Sequence, residues 1–280
     1  MDTTLVFGAT GAVGRFVLQQ LTPRNRVIGV SRQRKPGPGH WICADLNDPG
    51  ADWPDVDVII SLGPLDCFAH WLQGNPLASV KRVVALSSMS AQSKRDSVDV
   101  RERETSARLR QSETRILNTC ANRNIACTMF RPTLIYGAGT DRSLAPIARF
   151  ARRWRILPIP AGAAGLRQPI HAADIAWASA AVLDRSITFG KTYPLGGGER
   201  LRFDTLVSRL RRCSPGFVMP LPVPIPLLRL ASKCRVYATF TSAMVARLRE
   251  PLIADNSQAL RDFGFTPRNF CPEQVLPEET

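Results

Sequence analysis

Short apolar runs alternate with longer amphipathic stretches along the first two-thirds of the chain. Within each run the apolar residues are continuous, which is typical of parallel strands that are covered on both faces. We predict six strands, at Thr4–Gly8, Arg26–Val30, Trp41–Ala44, Val56–Ser61, Arg82–Ser87 and Ile125–Arg131. Helical spacing of apolar positions predicts helices at Ala12–Leu21, Val100–Asn122 and Ala172–Leu183. This order predicts successive βαβ units, and therefore an α/β fold with a doubly wound parallel sheet.

The pattern changes in the last third of the chain. The run Gly196-Gly197-Gly198 is followed by five prolines between positions 215 and 226, and prolines interrupt regular structure. We predict a core at residues 1–141 and a small C-terminal substrate-side lobe at residues 142–280. One helix and one strand, at about residues 172–195, return from this lobe to the core.

A glycine-rich segment lies between the first predicted strand and the first predicted helix. It reads Gly8-Ala9-Thr10-Gly11-Ala12-Val13-Gly14. The first glycine allows a sharp turn, the second lets the backbone approach a pyrophosphate, and the third lets the helix pack closely on the strand. A glycine triplet alone is a weak signal, but in this strand-to-helix context it predicts a Rossmann dinucleotide site.

The residues after the second predicted strand indicate which dinucleotide is bound. An NAD-selective site places Asp or Glu there to hold the ribose 2′-hydroxyl. This chain has Ser31-Arg32, followed by Arg34 and Lys35. Hydroxyl and guanidinium groups bind a 2′-phosphate, so NADP is the expected cofactor and NAD is the less favoured one. We expect Arg32 to contact the phosphate, whereas Arg34 and Lys35 fit a solvent-facing loop equally well.

The formal net charge of +14 bears on partners rather than on fold. An anionic ligand, an anionic membrane surface and nucleic acid would each explain it, and so would an arginine-rich surface that only aids solubility. Nucleic acid is the weakest of these because no binding motif is present and aromatics do not interleave with the basic clusters. The basic and aromatic stretch Arg149–Arg155 and the apolar and basic stretch Pro224–Leu248 fit a diphosphate-bearing or apolar substrate, peripheral membrane contact, or an ordinary lobe helix.

Cysteines and the amino terminus bear on the compartment. The seven cysteines are scattered and none forms a Cys-x-x-Cys pair, so neither a disulfide framework nor a zinc site is indicated. No metal-ligand cluster is visible in the sequence. The chain shows no signal-peptide pattern and no apolar run long enough to span a bilayer. We expect a cytoplasmic protein, with peripheral membrane contact as the alternative.

Several motifs in their usual order resemble the NAD(P)-dependent epimerase/dehydratase family, the extended and atypical short-chain dehydrogenases/reductases. They are Gly8-x-x-Gly11-x-x-Gly14, Ala44-Asp45-Leu46, Ile60-Ser61-Leu62-Gly63, Leu86-Ser87-Ser88, Arg131-Pro132-x-x-Ile135-Tyr136-Gly137, Pro169–Ala176 and Asp262–Pro267. The resemblance covers nearly the whole chain. It implies that further cofactor contacts come from Asp45, Leu46, Leu62, Gly63, Ser87, Arg131 and Pro132.

The chain departs from this family where the catalytic Tyr and Lys should lie. The predicted helix Val100–Asn122 contains neither residue type. If Glu113 is the glutamate that often follows the pair, Thr105 and Leu109 occupy the two places. The remaining acids on this helix, Glu102, Glu104 and Glu113, interleave with arginines and predict a solvated face with ion pairs.

Three other residues are candidates for chemistry. Ser88 matches the family's catalytic Ser or Thr and would orient a carbonyl, or would only satisfy a backbone group. Tyr136 and His171 are candidate proton donors, and for each the alternative is a packing or hydrogen-bonding role. We therefore expect an NADP-dependent oxidoreductase or epimerase-like enzyme acting on a small molecule, as a monomer or homodimer. The alternative is a non-catalytic dinucleotide-binding redox sensor or assembly subunit.

Overall fold

The computed structural model describes residues 2–22, 26–33, 40–48, 51–76, 78–141, 143–224 and 247–276. The predicted contacts of Arg34 and Lys35, and residues 225–246 of the apolar and basic stretch, lie outside this description. The described residues form two compact units. The first comprises residues 1–132, 172–195 and 255–266, and the second comprises residues 133–171, 196–254 and 267–280. The chain thus leaves the first unit at residue 132 rather than at residue 141, and returns to it twice.

The first unit contains a seven-stranded parallel sheet. Its strands are β1 (Thr3–Phe7), β2 (Arg26–Ser31), β3 (His40–Cys43), β4 (Val58–Ser61), β5 (Arg82–Leu86), β6 (Ala126–Pro132) and β11 (Lys191–Leu195). The spatial order is β3-β2-β1-β4-β5-β6-β11, and every neighbouring pair is parallel. The predicted α/β class with a doubly wound sheet is confirmed. The order reverses direction beside β1, which is where such sheets bind their ligands.

The helices of the first unit pack on this sheet. They are α1 (Gly14–Leu21), α2 (Leu65–Gly74), α3 (Ser90–Ser93), α4 (Val100–Asn122), α6 (Ala172–Ala181) and α8 (Ser257–Phe263). A buried core of aliphatic strand residues and helix residues includes Ile59, Val83, Phe68, Leu72 and Ile116. Helices cover both faces of the sheet, and this is why the strands are continuous runs of Val and Ile rather than alternating apolar and polar residues.

The amino-terminal end of β5 is held by a buried arginine. The Arg82 guanidinium donates to the carbonyls of Leu183, Val182 and Ala126 and to the hydroxyls of Thr128 and Thr188. Burial lowers the pKa of this arginine to about 10. The hydrogen bonds join β5, β6 and the segment after α6, so this charge is paired with dipoles.

The described residues of the second unit form two α-helices and short strand pairs. Its elements are β7 (Ile135–Tyr136), α5 (Leu144–Trp154), β8 (Ile156–Ala161), β9 (Leu166–Arg167), β10 (Ile170–His171), β12 (Leu201–Arg202), α7 (Phe203–Arg212) and β13 (Met219–Pro224). β7 pairs with β10 and β8 pairs with β13 in parallel, and β9 pairs with β12 antiparallel. The apolar faces of α5 and α7 form its core, with Leu144, Ile147, Phe203 and Leu206 fully buried.

The expectation that the prolines after position 215 break regular structure is wrong for residues 219–224. Pro220, Pro222 and Pro224 lie within β13, at alternate positions of the strand. Because strand residues alternate in direction, all three missing N–H groups belong to one side of the strand. The other residues retain the N–H groups that a ladder with β8 requires.

Candidate functional site

The turn after β1 can be built only from glycine at two positions. Gly8 has φ of +72°, and a Cβ atom there would lie 2.8 Å from the carbonyl carbon of Leu62 and 2.9 Å from the nitrogen of Gly63. A Cβ on Gly14 would overlap the carbonyl oxygens of Gly8 and Ala9. Side chains are therefore excluded where β1 passes β4 and where α1 begins on the strand.

The middle of the turn is exposed. The amide of Gly11 donates to the carbonyl of Gly8 at 2.9 Å, which closes the turn, and Thr10 and Gly11 are open to solvent. Ala12 is partly exposed, and Val13 is buried directly before α1. The first amides of a helix have no partner within the helix, so the amino-terminal end of α1 provides donors for an anion.

Backbone from three strand ends meets at this turn. Gly63 lies beside both Gly8 and the Leu46 side chain, with its added Cβ 4.0 Å from the Gly8 nitrogen and from Leu46 Cδ1. Asp45 precedes Leu46, and its Oδ1 accepts from the backbone and side-chain nitrogens of Asn47 at 2.9 and 3.0 Å. Four predicted positions, Gly8, Leu46, Leu62 and Gly63, are thus brought to one place, and Asp45 is the neighbour of Leu46 in sequence.

The end of β2 presents a basic group. Ser31 is buried and its hydroxyl oxygen accepts from the amide of Gln33 at 3.2 Å. Arg32 is exposed, and residues 31–33 contain no acid. A guanidinium in this position is compatible with a phosphate, and a Glu or Asp for the ribose hydroxyl is missing from residues 31–33.

A buried carboxylate lies behind the ends of β5 and β6. Glu113 of α4 accepts from the Ser87 hydroxyl at 2.5 Å, from Arg131 Nε at 2.8 Å and from Arg131 Nη2 at 2.5 Å. The Glu113 side chain is only 4% exposed. Its hydrogen bonds and charge raise the pKa of Arg131. The predicted cofactor contacts of Ser87 and Arg131 therefore compete with a bidentate ion pair and a short hydrogen bond.

The expectation that the acids of α4 form a solvated face is wrong for two of the three. Glu113 and Glu102 are both buried, and only Glu104 is exposed. Glu102 accepts from the Ser97 hydroxyl at 2.8 Å and pairs with Lys94 at 3.3 Å. The helical spacing to the buried Ile116 and Cys120 places Glu113 on the face of α4 that packs in the core, a signal that the sequence contains.

Ser88 lies between the end of β5 and the short helix α3. Its hydroxyl oxygen accepts from the amide of Ser90 at 3.1 Å, and its side chain is partly exposed. The next amide, that of Met89, donates to the carbonyl of Pro132 at 3.0 Å, which ties the β5 and β6 ends together. A hydroxyl that accepts one bond still has its own proton to donate, so Ser88 can orient a carbonyl.

Tyr136 is fully buried in the second unit. Its hydroxyl accepts from the amide of Cys271 at 3.0 Å and faces the carbonyl oxygen of Asn269 at 3.4 Å. The ring packs edge-on against His171 and Phe270, with centroids 5.1 and 5.0 Å apart. This environment favours the packing alternative over a role as proton donor.

His171 is buried against the neighbouring turn. It ends β10, and Gly137, with φ of +103°, lies so close that a Cβ there would overlap the imidazole. A glycine is required at position 137 because the ring occupies the space of a side chain. This arrangement favours the structural alternative for His171 as well.

The basic stretch Arg149–Arg155 lies at the end of α5. Trp154 and Arg153 are exposed, and the Arg153 guanidinium lies 5.6 Å from the Trp154 ring centroid. Arg149 donates to the carbonyl of Gly139 at 2.8 Å. None of the helices among the described residues is both long and apolar enough to cross a bilayer, and those residues contain no cluster of three metal-binding side chains.

Comparisons with known proteins support the fold. No protein-family model matches the chain. A curated relative is the mitochondrial NADH dehydrogenase [ubiquinone] 1 alpha subcomplex subunit 9 of Arabidopsis thaliana, 28% identical over 69% of this chain. The chain spans about half, 53%, of that relative's length.

Similar solved structures cover nearly all of the chain. A short-chain dehydrogenase/reductase superfamily protein from Agrobacterium tumefaciens with bound NAD is 15% identical, with a TM-score of 0.68 over 98% of this chain and 94% of that one. The UDP-glucuronic acid 4-epimerase of Bacillus cereus in complex with NAD is also 15% identical, with a TM-score of 0.72 over the same shares. The resemblance to this family is confirmed at the level of the fold.

Proposed function

We propose that this chain, whose fold is that of the short-chain dehydrogenases/reductases, is a nicotinamide-dinucleotide-dependent oxidoreductase or epimerase-like enzyme. One observation supports this most: the glycine turn after β1, the backbone of Leu62 and Gly63 after β4, and Leu46 after β3 meet at one point. A parallel sheet binds its ligand at this reversal of strand order. The similar structures from Agrobacterium tumefaciens and Bacillus cereus hold NAD.

The residues present fit a dinucleotide. Gly11 is exposed and without a side chain, and the amides at the start of α1 provide donors for the pyrophosphate. The backbone of Leu62 and Gly63 would run along the cofactor, and Asp45 and Leu46 would lie beside the adenine. We infer a preference for NADP over NAD because Arg32, rather than an acid, follows β2.

The cofactor, when bound, would supply hydride transfer to or from a carbonyl or alcohol. In this proposal the Ser88 hydroxyl donates a hydrogen bond to the substrate oxygen and orients it. The substrate class would be a small molecule with a carbonyl or hydroxyl group, apolar or diphosphate-bearing. If Glu113 is the glutamate that follows the usual pair, Thr105 and Leu109 occupy the places of the Tyr and the Lys on α4. The tyrosine that would act as general acid beside Ser88 is then missing.

A second candidate function is a non-catalytic cofactor-binding subunit or redox sensor. It is favoured by the absence of Tyr and Lys from α4 and by the engagement of Arg131 and Ser87 with Glu113. The name of the curated relative, a subunit of NADH dehydrogenase, is compatible with it.

Turnover distinguishes the two candidates. The protein is incubated with NADPH or NADH and carbonyl compounds, and separately with NADP+ or NAD+ and nucleotide sugars. Cofactor absorbance and sugar products are measured. Oxidation of cofactor or formation of an epimer, reduced markedly in Ser88→Ala, supports the enzyme. Tight cofactor binding with no reaction across the panel supports the subunit or sensor.

A further inference from the structure

A long polar groove lies on the outer surface of the first unit, between the end of α2 and the exposed side of α4. It has a volume of about 710 Å³. The residues that line it are Gln73, Ala107, Arg110, Gln111, Thr114, Arg115, Asn118, Thr119 and Asn122. Its α4 side extends from Ala107 to Asn122, which is about 22 Å of helix.

The lining has one sign of charge. It includes two guanidinium groups, those of Arg110 and Arg115, and no carboxylate. The Arg115 guanidinium lies 3.0 Å from a ring nitrogen of His70, which is not an acid. Arg110 is exposed. Glu113 lies within the same span of α4, but it is buried on the other face of the helix and pairs with Arg131. The next acids along the two helices are Glu104, one turn before the groove, and Asp66, which pairs with Arg108 at 3.6 Å.

The other polar side chains of the groove are mainly amides. Gln73, Gln111, Asn118 and Asn122 each carry both a donor and an acceptor. A peptide backbone requires both, because its N–H and C=O groups alternate. Phosphate and sulfate groups offer acceptors only, and would leave the amide oxygens of the groove without donors.

We propose that this groove binds an acidic peptide segment of a partner protein. Carboxylates of the segment pair with Arg110 and Arg115, and its backbone forms hydrogen bonds with the amide side chains of the groove. None of the lining residues is aromatic, so bases have nothing to stack on. A second copy of this chain, with a net charge of +14, would bring like charges together.

The test uses the full chain and a fluorescein-labelled 15-residue peptide of alternating Glu and Ser, followed by anisotropy. A peptide with Gln in place of Glu is the matched probe. We expect the Glu peptide to bind at least about tenfold more tightly than the Gln peptide, and to dissociate as salt is raised.

Variants locate the binding. We expect the double variant Arg110→Gln, Arg115→Gln to weaken Glu-peptide binding about tenfold or more. The control, Arg26→Gln with Arg185→Gln, removes the same charge from exposed positions outside the groove and should leave affinity within about twofold. Arg110→Gln alone, which leaves the contact with His70 intact, should weaken binding about threefold or more.

Three outcomes would overturn the proposal. One is equal loss of affinity in the groove variant and the control, which would mean non-specific attraction. The second is a Glu peptide that binds no better than the Gln peptide. The third is a thymidine oligonucleotide or an anionic phosphatidylserine vesicle that binds more tightly than the Glu peptide and loses affinity in the groove variant.

Discussion

The Glu113 carboxylate is charged and buried behind the ends of β5 and β6. A buried charge is costly unless it is paired, and Arg131 and Ser87 supply three hydrogen bonds to it. Removing one partner of such a pair leaves the other charge unpaired in a dry environment. Glu113 is thus a structural residue that positions the two strand ends rather than a contact with solvent.

We predict that Glu113→Gln lowers the free energy of unfolding by about 3 kcal/mol, since Arg131 loses the carboxylate with which it pairs while staying half-buried. Urea denaturation followed by circular dichroism measures this. Glu104→Gln, exposed on the same helix, is the control and should change stability by less than about 0.5 kcal/mol. Equal effects of the two substitutions would contradict the assignment.

The hydroxyl of Tyr136 offers a second prediction. Tyr136→Phe removes a hydroxyl that accepts from the Cys271 amide, so we expect stability to fall by about 1–2 kcal/mol. Cofactor affinity and turnover should be unchanged, because the hydroxyl is buried and occupied. Thermal unfolding and steady-state kinetics measure the two effects. A sharp fall in turnover with normal stability would instead place this hydroxyl in the chemistry.

Cofactor choice depends on the residue after β2. We predict that the native chain binds NADPH more tightly than NADH, and that Arg32→Asp reverses or abolishes the preference, because a carboxylate repels a 2′-phosphate and accepts from a ribose hydroxyl. Isothermal titration with both cofactors measures the ratio. Arg26→Asp, at the other end of β2, is the control. Equal affinity of the native protein for both cofactors would refute the preference.

At the scale of elements, the strands of the sheet were predictable and several helices were not. Continuous apolar runs indicated β1 to β6, with ends that differ by one or two residues from the structure. The helix Leu65–Gly74 was not predicted, although its buried residues Leu65, Phe68, Ala69 and Leu72 follow helical spacing. The strand Met219–Pro224 was not predicted because prolines usually argue against a strand. An edge strand such as this one tolerates them.

The candidate site was predictable in the same uneven way. The glycine turn and the Leu62–Gly63 segment could be placed from sequence because local backbone conformation dictates glycine there. The hydrogen-bond partners of Glu113 and Tyr136 lie in segments distant in sequence, namely Arg131 and residues 269–271. Such tertiary partners have no local signature.

The exposed end of α5 provides a prediction about membranes. Arg153 and Trp154 are exposed together, a combination that favours an anionic interface. We predict that vesicles containing phosphatidylserine retain the protein at low salt and release it at high salt, and that Trp154→Ala with Arg153→Ala reduces retention severalfold. Co-sedimentation measures this, with neutral vesicles as the control. Equally poor retention by both kinds of vesicle would leave only a substrate or structural role for this stretch.

At the scale of the whole molecule, two features coexist. One is a Rossmann-like fold that keeps its glycine turn. The other is a strong positive net charge, part of which lies along the groove on α4. An enzyme needs the first, and a subunit that docks on an acidic partner needs both. The two candidate functions therefore share one requirement, the binding of a nicotinamide dinucleotide at the turn after β1.

The most direct test of that requirement is isothermal titration of the native protein and of Gly11→Val with NADPH and NADH. A Cβ at position 11 would lie 3.1 Å from the Gly8 carbonyl oxygen, a close contact that a shift of a few tenths of an ångström relieves. We therefore expect the fold to survive while the pyrophosphate is displaced. Gly74→Ala, where a Cβ meets nothing within 4 Å, is the control. We predict saturable binding by the native protein and the control, and a loss of about tenfold or more in Gly11→Val at an unchanged melting temperature. Failure of the native protein to bind either cofactor, or equal binding by Gly11→Val, would contradict the account.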